Sequence, residues 1–151
     1  MRNKFPYTRI PAELVGSGRK GENSLWEPML LVRVGVPGGK RSPRFRAHVD
    51  SGSPYCIFKS DIGEYLGLEV EKGEESHVGG IIGGPREPIY FHKITLFVED
   101  HWMVTIRAGF IRKLATHGIL GRDGFFDHFR VAFDQSAKPP FVQLEKVERP
   151  V

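Results

Sequence analysis

The sequence predicts a mostly β protein whose strands close or fold over into a barrel, with one or two short helices. Its 151 residues include 18 glycines and 11 prolines, a content that favours many short strands and turns over long helices. Several runs alternate apolar and polar residues with the period of a half-buried strand. A chain of this length is expected to form one domain around a sizeable core.

The first 28 residues are interpreted as an N-terminal extension that is partly flexible, and residues 29–151 as the folded domain. The extension contains "VGSGRKGENS", whose composition is typical of a loop. The run "MLLVRVGV" predicts a strand over residues 29–36, and "PGGKRSP" predicts the hairpin turn that follows it. In "RFRAHV", apolar and polar residues alternate, which predicts the next strand.

The later elements follow from the same kinds of pattern. The segment "KSDIGEYLGL" predicts a short helix that Ser60 caps and Gly67 ends. An antiparallel hairpin is predicted from "IYFHKITLFVED" and "HWMVTIRAGF", which a tight acidic connection joins. A brief strand over residues 118–120, a short helix in "RDGFFDHF", and strands in "RVAF" and "FVQLEKV" complete the prediction.

Composition and charge narrow the classes of function. The formal net charge is +4, but the lysines and arginines are scattered among 18 acids, which indicates a soluble surface and no nucleic-acid partner. The N-terminal stretch has no apolar run of signal-peptide length and no segment could span a bilayer, so we expect a cytoplasmic protein without a membrane partner. Cys56 is the single cysteine, which precludes an internal disulfide, and it is expected to be a small buried hydrophobe.

A carboxylate stands between two strand-like runs in "HVDSGSPYCIF", residues 48–58. Asp, Ser and Gly are common turn residues, so Asp50 could simply organise a turn. However, an apolar strand delivers Asp50 and the apolar run "CIF" follows at once, which places the turn inside the predicted fold. A carboxylate there costs several kcal/mol unless its neighbours stabilise it or share its proton. This position is therefore a candidate for chemistry.

Two further segments are rich in glycine. In "HVGGIIGGPREP", two glycine pairs flank Ile81 and Ile82, which predicts a flexible hairpin with apolar tips. Pro85 and Arg86 follow the glycines where a phosphate-binding loop needs Lys and then Ser or Thr, so a phosphate cradle is excluded, while an ordinary glycine-rich hairpin stays open. In "GILGRDGFF", an apolar strand ends at Gly121, before the short helix expected there.

Taken together, "AHVDSGS", "VGGIIGG" and "GILGRDGFF" resemble, in order and spacing, the motifs of the retropepsin-like aspartic proteases, the single-lobe relatives of the pepsin family. The first resembles the family's strand and catalytic turn, the second its glycine-rich flap, and the third its late strand and helix. The resemblance covers residues 29–134. It implies a closed barrel with the fold of a single pepsin lobe, the activity of an aspartic endopeptidase, and no cofactor.

The resemblance also implies roles for individual residues. Asp50 would be the catalytic acid and base, and Ser51 would hydrogen-bond across the site to fix the turn. Gly52 would let the backbone approach the carboxylates closely, and Ser53 could donate to the outer carboxylate oxygen. The flap and substrate-binding residues would be Val78, Gly79, Gly80, Ile81, Ile82, Gly83 and Gly84.

In the late motif, Gly121 and Arg122 are expected to be structural residues near the site. The sequence departs from the family at this point. Many retroviral members carry an acid four residues after the catalytic Asp, able to pair with the late Arg, whereas this chain has Pro54 there. The partner of Arg122 is therefore open.

The chain provides one carboxylate of the required kind, because no other Asp stands in an Asp-Ser/Thr-Gly turn. Since the chemistry of aspartic proteases needs two, the resemblance implies a symmetric homodimer that acts on a peptide or protein substrate. The residues before 29 and after 134, including "FVQLEKV", are candidates for the pairing surface, because unpaired strand edges invite a partner.

Other chemistries have less support. No two of the six histidines stand two to four residues apart, so no metal site is expected, and the Gly-x-Ser-x-Gly elbow of serine hydrolases is missing. Two alternatives stay open on the same fold. One is a non-catalytic β-barrel module that binds a peptide, and the other is a dimerisation domain in which Asp50 is only a hydrogen-bonding turn residue.

Overall fold

The computed structural model describes residues 3–14, 19–78 and 87–148, and strands dominate it, as predicted. Its regular elements are β1 (Lys4–Pro6), β2 (Thr8–Pro11), β3 (Ser24–Glu27), β4 (Met29–Gly35), β5 (Phe45–Val49), β6 (Ile57–Lys59), α1 (Ser60–Tyr65), β7 (Glu74–Val78), β8 (Glu87–Val98), β9 (Trp102–Ile111), β10 (Gly118–Leu120), β11 (Phe129–Asp134) and β12 (Phe141–Lys146). Single 3-10 turns cover Ala12–Leu14 and Val70–Lys72. In the part of the chain that is described, α1 and the 3-10 turns are too short to cross a membrane.

Six of the strands close into a barrel, which confirms the predicted fold class. They follow the order β4-β5-β10-β6-β9-β8, and β8 pairs again with β4 to complete the ring. The predicted hairpin of β8 and β9 is the longest pairing, with Val98 opposite Trp102 at its tip. The brief strand β10 lies between β5 and β6, parallel to the first and antiparallel to the second. The late motif is thereby brought beside the Asp50 turn.

The alternating pattern of the sequence fills the barrel. On β4, Leu30, Val32 and Val34 are essentially inaccessible to solvent, and on β5 Ala47 points into the same core. These are the positions that a period of two sends to one face of a strand. Phe58 of β6 is fully buried among them. The strands predicted from alternation are therefore confirmed.

The predicted helix after β6 is present, but it starts differently. Ser60 is the first residue inside α1 and is buried, while Lys59 occupies the capping position without a side-chain cap. The predicted capping role of Ser60 is therefore wrong. The predicted end is confirmed, because Gly67 has a φ of +83° and lies just beyond the C-cap residue Leu66. This left-handed conformation is favourable for glycine and stops a right-handed helix.

The second predicted helix, in "RDGFFDHF", residues 122–129, is wrong, because residues 122–128 form turns interrupted by a bridge at Asp123, and Phe129 begins β11. Gly124 has a φ of +107°, which an α-helix cannot contain. The amide of Phe126 donates to the carbonyl of Gly121 and that of Asp127 to the carbonyl of Arg122, one residue further back than in an α-helix. The apolar side chains that suggested a helix still reach the core, where Phe125 is fully buried.

A separate three-stranded sheet has the order β1-β12-β11, with β12 in the centre. β1 pairs with residues 141–143, and β11 pairs with the whole of β12. The proposed free edge of "FVQLEKV" is therefore wrong for this strand, because both of its edges have partners within the chain. The ring of Phe5 packs edge-on against Trp102, which attaches β1 to the barrel.

Candidate active site

Asp50 follows the last residue of β5, and the backbone around it is held from both sides. The amide of Val49 donates to the carbonyl of Pro28 at 2.9 Å, and the amide of Asp50 donates to the carbonyl of Leu120 at 3.0 Å. The second bond continues the parallel pairing of β5 with β10, in which Val49 lies opposite Leu120. The position of the carboxylate is therefore set by the barrel itself.

The turn after Asp50 fixes the direction of its side chain. The Gly52 amide donates to Asp50 Oδ1 at 2.9 Å, and the Ser53 amide donates to the Asp50 carbonyl at 3.2 Å. An Asp side chain that accepts from the backbone two residues on is a common way to stabilise a turn. A Cβ at Gly52 would lie 3.1 Å from Asp50 Oδ1, so glycine suits this close approach, as expected.

The turn is exposed in the single chain, with Asp50, Ser51 and Gly52 all accessible to solvent. The expectation that it lies inside the fold is therefore wrong. The chain enters the interior only from Ser53 onwards, and Cys56 and Phe58, not Asp50, are the fully buried residues of this stretch. The carboxylate thus stands at the surface, where a ligand or a second chain can reach it.

The late motif is bonded to this turn along its backbone. The amide of Arg122 donates to the carbonyl of Ser53, and the amide of Asp123 donates to the carbonyl of Pro54, each at 2.9 Å. A Cβ at Gly121 would lie 2.1 Å from the carbonyl oxygen of Tyr55, so only glycine allows the two segments to approach this closely.

Arg122 also has a side-chain partner that the sequence left open. Its Nη1 donates to the carbonyl oxygen of Ser51 at 2.8 Å. A hydrogen bond from a charged donor is stronger than a neutral one, although exposure to water weakens it here. The guanidinium therefore supports the turn through a backbone carbonyl, which is available although Pro54 stands in place of an acid.

The two serines of the turn differ in their surroundings. The Ser53 hydroxyl donates to the carbonyl of Tyr55 at 2.7 Å, so it is already used within the turn. The suggestion that Ser53 donates to the outer carboxylate oxygen is wrong for this arrangement, because its side chain is turned to the interior. The hydrogen bond of Ser51 across the site involves a second chain and stays a prediction.

Cys56 lies beneath the turn and is fully buried, as predicted. Burial raises the pKa of its thiol to about 12, with a hydrogen bond to the Gly121 carbonyl acting in the opposite direction. Since the thiolate is the nucleophilic form of cysteine, a thiol with this pKa is inert near neutral pH. Cys56 therefore serves packing.

The predicted flap falls largely on residues that lie outside the described part of the chain. Val78 is the last residue of β7 and pairs with Glu87, the first residue of β8. β7 and β8 pair in antiparallel orientation, from Glu74 opposite Phe91 to Val78 opposite Glu87. Gly79, Gly80, Ile81, Ile82, Gly83 and Gly84 are not among the described residues.

A polar pair next to the turn was missed in the sequence. His48 lies two residues before Asp50, and its Nδ1 is 3.2 Å from the hydroxyl oxygen of Thr116. Residues two apart on a strand point to the same face. Counting back by two from Asp50 could have indicated His48, whereas nothing in the sequence pointed to Thr116.

The close approach of Gly121 to the backbone of Tyr55 can be tested by the substitution Gly121→Ala. The added methyl must displace the Tyr55 backbone, so the free energy of unfolding should fall by about 1–3 kcal/mol, measured by urea denaturation. Gly35→Ala is the matched control, because its Cβ would lie 3.2 Å from a backbone carbonyl, that of Lys40, and a small adjustment suffices. Equal stability of the Gly121→Ala variant and the unchanged protein would contradict the packing described here.

No protein-family model and no curated protein matches the chain. Solved structures do match it. A retropepsin-like aspartic protease from Rickettsia conorii is 12% identical, with a TM-score of 0.56 over 93% of this chain and 89% of that chain. The retroviral protease-like domain of Ddi1 from Leishmania major is 20% identical, with a TM-score of 0.49 over 78% and 94% of the two chains. EIAV protease in complex with the inhibitor HBY-793 is 14% identical, with a TM-score of 0.46 over 70% and 88%.

At 12% identity, the match to the Rickettsia structure is a match of fold, and it extends over nearly the whole of both chains. It agrees with the closed six-stranded barrel. The chain has the fold of the retropepsin-like aspartic proteases.

Proposed function

We propose that the protein is an aspartic endopeptidase that works as a symmetric homodimer, with Asp50 of each chain forming the catalytic pair. The observation that carries the proposal is the Asp50 turn. An exposed carboxylate, aligned by the Gly52 amide, stands at a fixed point of a retropepsin-like barrel.

Hydrolysis of a peptide bond by carboxylates needs two of them, because two tasks are performed at once. The ionised partner takes a proton from a water molecule as the water oxygen attacks the carbonyl carbon. The protonated partner donates a hydrogen bond to the carbonyl oxygen, which becomes a hydroxyl of the tetrahedral intermediate. Collapse of the intermediate breaks the C–N bond. The carboxyl that took the proton from water gives it to the departing nitrogen, and one hydroxyl of the intermediate returns its proton to the other carboxylate. Two carboxylates this close share one proton and titrate as a pair.

A second chain is the simplest source of the second carboxylate. The other aspartates near the end of the matched region have different roles. The Asp127 carboxylate accepts from the Gly124 amide at 3.0 Å, and the Asp134 carboxylate accepts from Ser136, whose hydroxyl holds the pKa of Asp134 below its usual value. A two-fold axis through the site would place two Asp50 turns face to face. The exposure of the turn in the single chain fits half of such a site.

In this proposal the surrounding residues position the pair. Ser51 hydrogen-bonds across the two-fold axis, Gly52 keeps the carboxylates accessible, and Ser53 stabilises the turn from within. Gly121 and Arg122 hold the turn against β10. The segment from Val78 to Gly84 covers a bound peptide and excludes water from it.

Asp50→Asn tests the proposal, because it removes the ionisable group at nearly unchanged shape. Cleavage of an unfolded protein substrate should fall by at least about a hundredfold, while the circular dichroism spectrum stays the same. Asp61→Asn is the matched control, since Asp61 is an exposed carboxylate on α1. Undiminished cleavage by Asp50→Asn would refute the catalytic role, and peptide binding without cleavage by the unchanged protein would favour the non-catalytic module.

The dependence of the rate on pH tests the sharing of a proton. A pair that needs one ionised and one protonated member is active only between its two titration steps, so the rate should pass through a maximum on the acidic side of neutrality. The measurement is the initial rate of peptide cleavage from about pH 3 to 9. A rate that still rises through pH 8 and is lost with a chelator would indicate a metal-activated water instead.

A further inference from the structure

Three neighbouring strands place Arg33, Phe97 and Met103 side by side on the outside of the barrel. Arg33 of β4 lies opposite Phe97 of β8, and Phe97 lies opposite Met103 of β9. The residues on both sides of Arg33 and of Phe97 are buried in the core, so this row belongs to the outer face. Together with Arg41 and Trp102, the row lines a cavity of about 310 Å³, which we call the outer cavity. Its size suits a small organic molecule.

Arg33 brings a buried donor to the wall of the outer cavity. Its Nε is inaccessible to solvent and has no hydrogen-bond partner, and it is the single buried side-chain nitrogen or oxygen of the described residues in this position. A buried donor without an acceptor is costly, and the cost is higher when the group is charged. In a guanidinium, Nε and the adjacent Nη form a fork that can bind both oxygens of a carboxylate. Arg33 thus retains a costly group that an oxyanion would satisfy.

A second guanidinium lines the same cavity. Arg41 is joined to the end of β4 by a bridge to Gly35, and its guanidinium carbon lies 4.3 Å from the centre of the Phe97 ring. Stacking of this kind uses the flat faces of the guanidinium and the ring. The N–H groups at the edge of the guanidinium stay available to an acceptor.

The outer cavity has a surplus of positive charge. Its acid is Asp100, and Arg44 already binds it, with Nε at 3.0 and 2.8 Å from the two carboxylate oxygens. The neighbouring acid Glu99 accepts from the Leu31 amide at 2.8 Å and lines a different cavity. The other permanently charged side chains of the lining are the two guanidiniums described above. An anion is therefore the ligand that this wall favours.

The rest of the wall indicates that the anion carries an apolar group. Met103 is 63% exposed, and the Trp102 ring packs edge-on against His101, with 4.5 Å between the ring centres. Aromatic rings and the adaptable methionine side chain provide contact for a flat apolar group. A bare inorganic anion would leave this surface uncovered. A phosphate would also bring more oxygens than two guanidiniums can readily satisfy, whereas a carboxylate brings two.

We propose that the outer cavity binds an organic carboxylate that carries an aromatic or similar apolar group. Arg33 binds the carboxylate through Nε and an adjacent Nη, and Arg41 donates to it from its place over Phe97. The apolar group lies against Trp102 and Met103. Because Nε is covered in the structure, a neighbouring side chain must move as the ligand enters, and the exposed, flexible Met103 is suited to this.

The outer cavity is separate from the Asp50 turn. Met29 lies opposite His48, two residues before Asp50, and Arg33 stands four residues further along β4. At the rise of a strand this is about 13 Å, in the direction away from the turn. The inference therefore rests neither on the proposed function nor on a second chain.

The test is titration calorimetry of the full chain with two probes that differ in the carboxylate alone. N-acetyl-L-phenylalanine has a free carboxylate, and its amide does not. The acid should bind with a dissociation constant of about 1 mM or lower, and the amide at least about tenfold more weakly. Asp50→Asn should bind the acid as the unchanged chain does. Cleavage assays on Asp50→Asn and this titration therefore fail independently of each other.

Arg33→Met and Arg41→Met locate the binding. Each keeps a long side chain and removes the guanidinium, so each should weaken binding of the acid at least about tenfold. Arg130→Met is the matched control, because Arg130 is an exposed arginine of β11 that does not line the outer cavity. Arg33→Met should also keep or raise the thermal unfolding midpoint, since it removes a buried donor that lacks a partner.

Two further probes distinguish the sources of such a carboxylate, and both are titrated into Asp50→Asn so that no peptide is cleaved. Tighter binding of phenylacetate supports a small aromatic acid as the ligand, and tighter binding of a hexapeptide that ends in phenylalanine supports a peptide C-terminus.

The following results would overturn the inference: no binding of N-acetyl-L-phenylalanine up to about 10 mM, equal binding of the acid and its amide, or undiminished binding by both arginine variants. Displacement of the acid by an equal concentration of inorganic phosphate would also overturn it, because the cavity would then be an adventitious anion site only. If Arg33→Met folds poorly, Arg41→Met and the comparison of acid with amide on the unchanged chain still decide.

Discussion

The backbone hydrogen bonds between the Asp50 turn and the residues that follow β10 are the constraint on which the rest of the site depends. They join two segments that are about seventy residues apart in the sequence. The Asp50 amide donates to the Leu120 carbonyl, and in the opposite direction the Arg122 amide donates to the Ser53 carbonyl. The Arg122 guanidinium adds a bond to the Ser51 carbonyl. Because these bonds use backbone groups, they fix the turn while leaving the Asp50 carboxylate to face solvent.

This arrangement explains how the Asp50 carboxylate, which would cost free energy if it were buried, can be held at a fixed position. A carboxylate buried in one chain would need a partner to offset the loss of hydration. Here the single chain avoids that cost, since the turn stays at the surface and the apolar residues begin only after it. In the proposed dimer, the cost arises when two turns meet, and a shared proton lowers it.

Much of the barrel could be predicted from the sequence, because the alternation of apolar and polar residues along a strand indicates which of its faces is buried. Leu30, Val32 and Val34 illustrate this, and the short connection of β8 to β9 was also recognised. The family resemblance supplied the closed barrel as a fold class, but the order of its strands was not predicted, since local patterns contain no information on which strands pair. The position of Asp50 at the end of a strand was predictable for the same local reason.

The failures have equally specific causes. A helix was expected in residues 122–129, but Gly124 has a left-handed φ and lies close to Cys56 and Ile106, contacts that no local pattern reveals. The exposure of Asp50 could not be inferred, because a run such as "CIF" does not reveal where the chain turns inwards. The partner of Arg122 is a backbone carbonyl, and every residue offers one, so no side-chain pattern could identify it.

The shared site is tested most directly by mixing subunits. Unchanged chains are mixed with a tenfold excess of Asp50→Asn chains, at concentrations well above the dimer dissociation constant, and a fluorescent label on one population verifies exchange. If each active site takes one Asp50 from each chain, random pairing leaves about a tenth of the original cleavage rate, because most unchanged chains sit in mixed dimers. A rate that stays undiminished after complete exchange would contradict a catalytic pair formed between two copies of this chain.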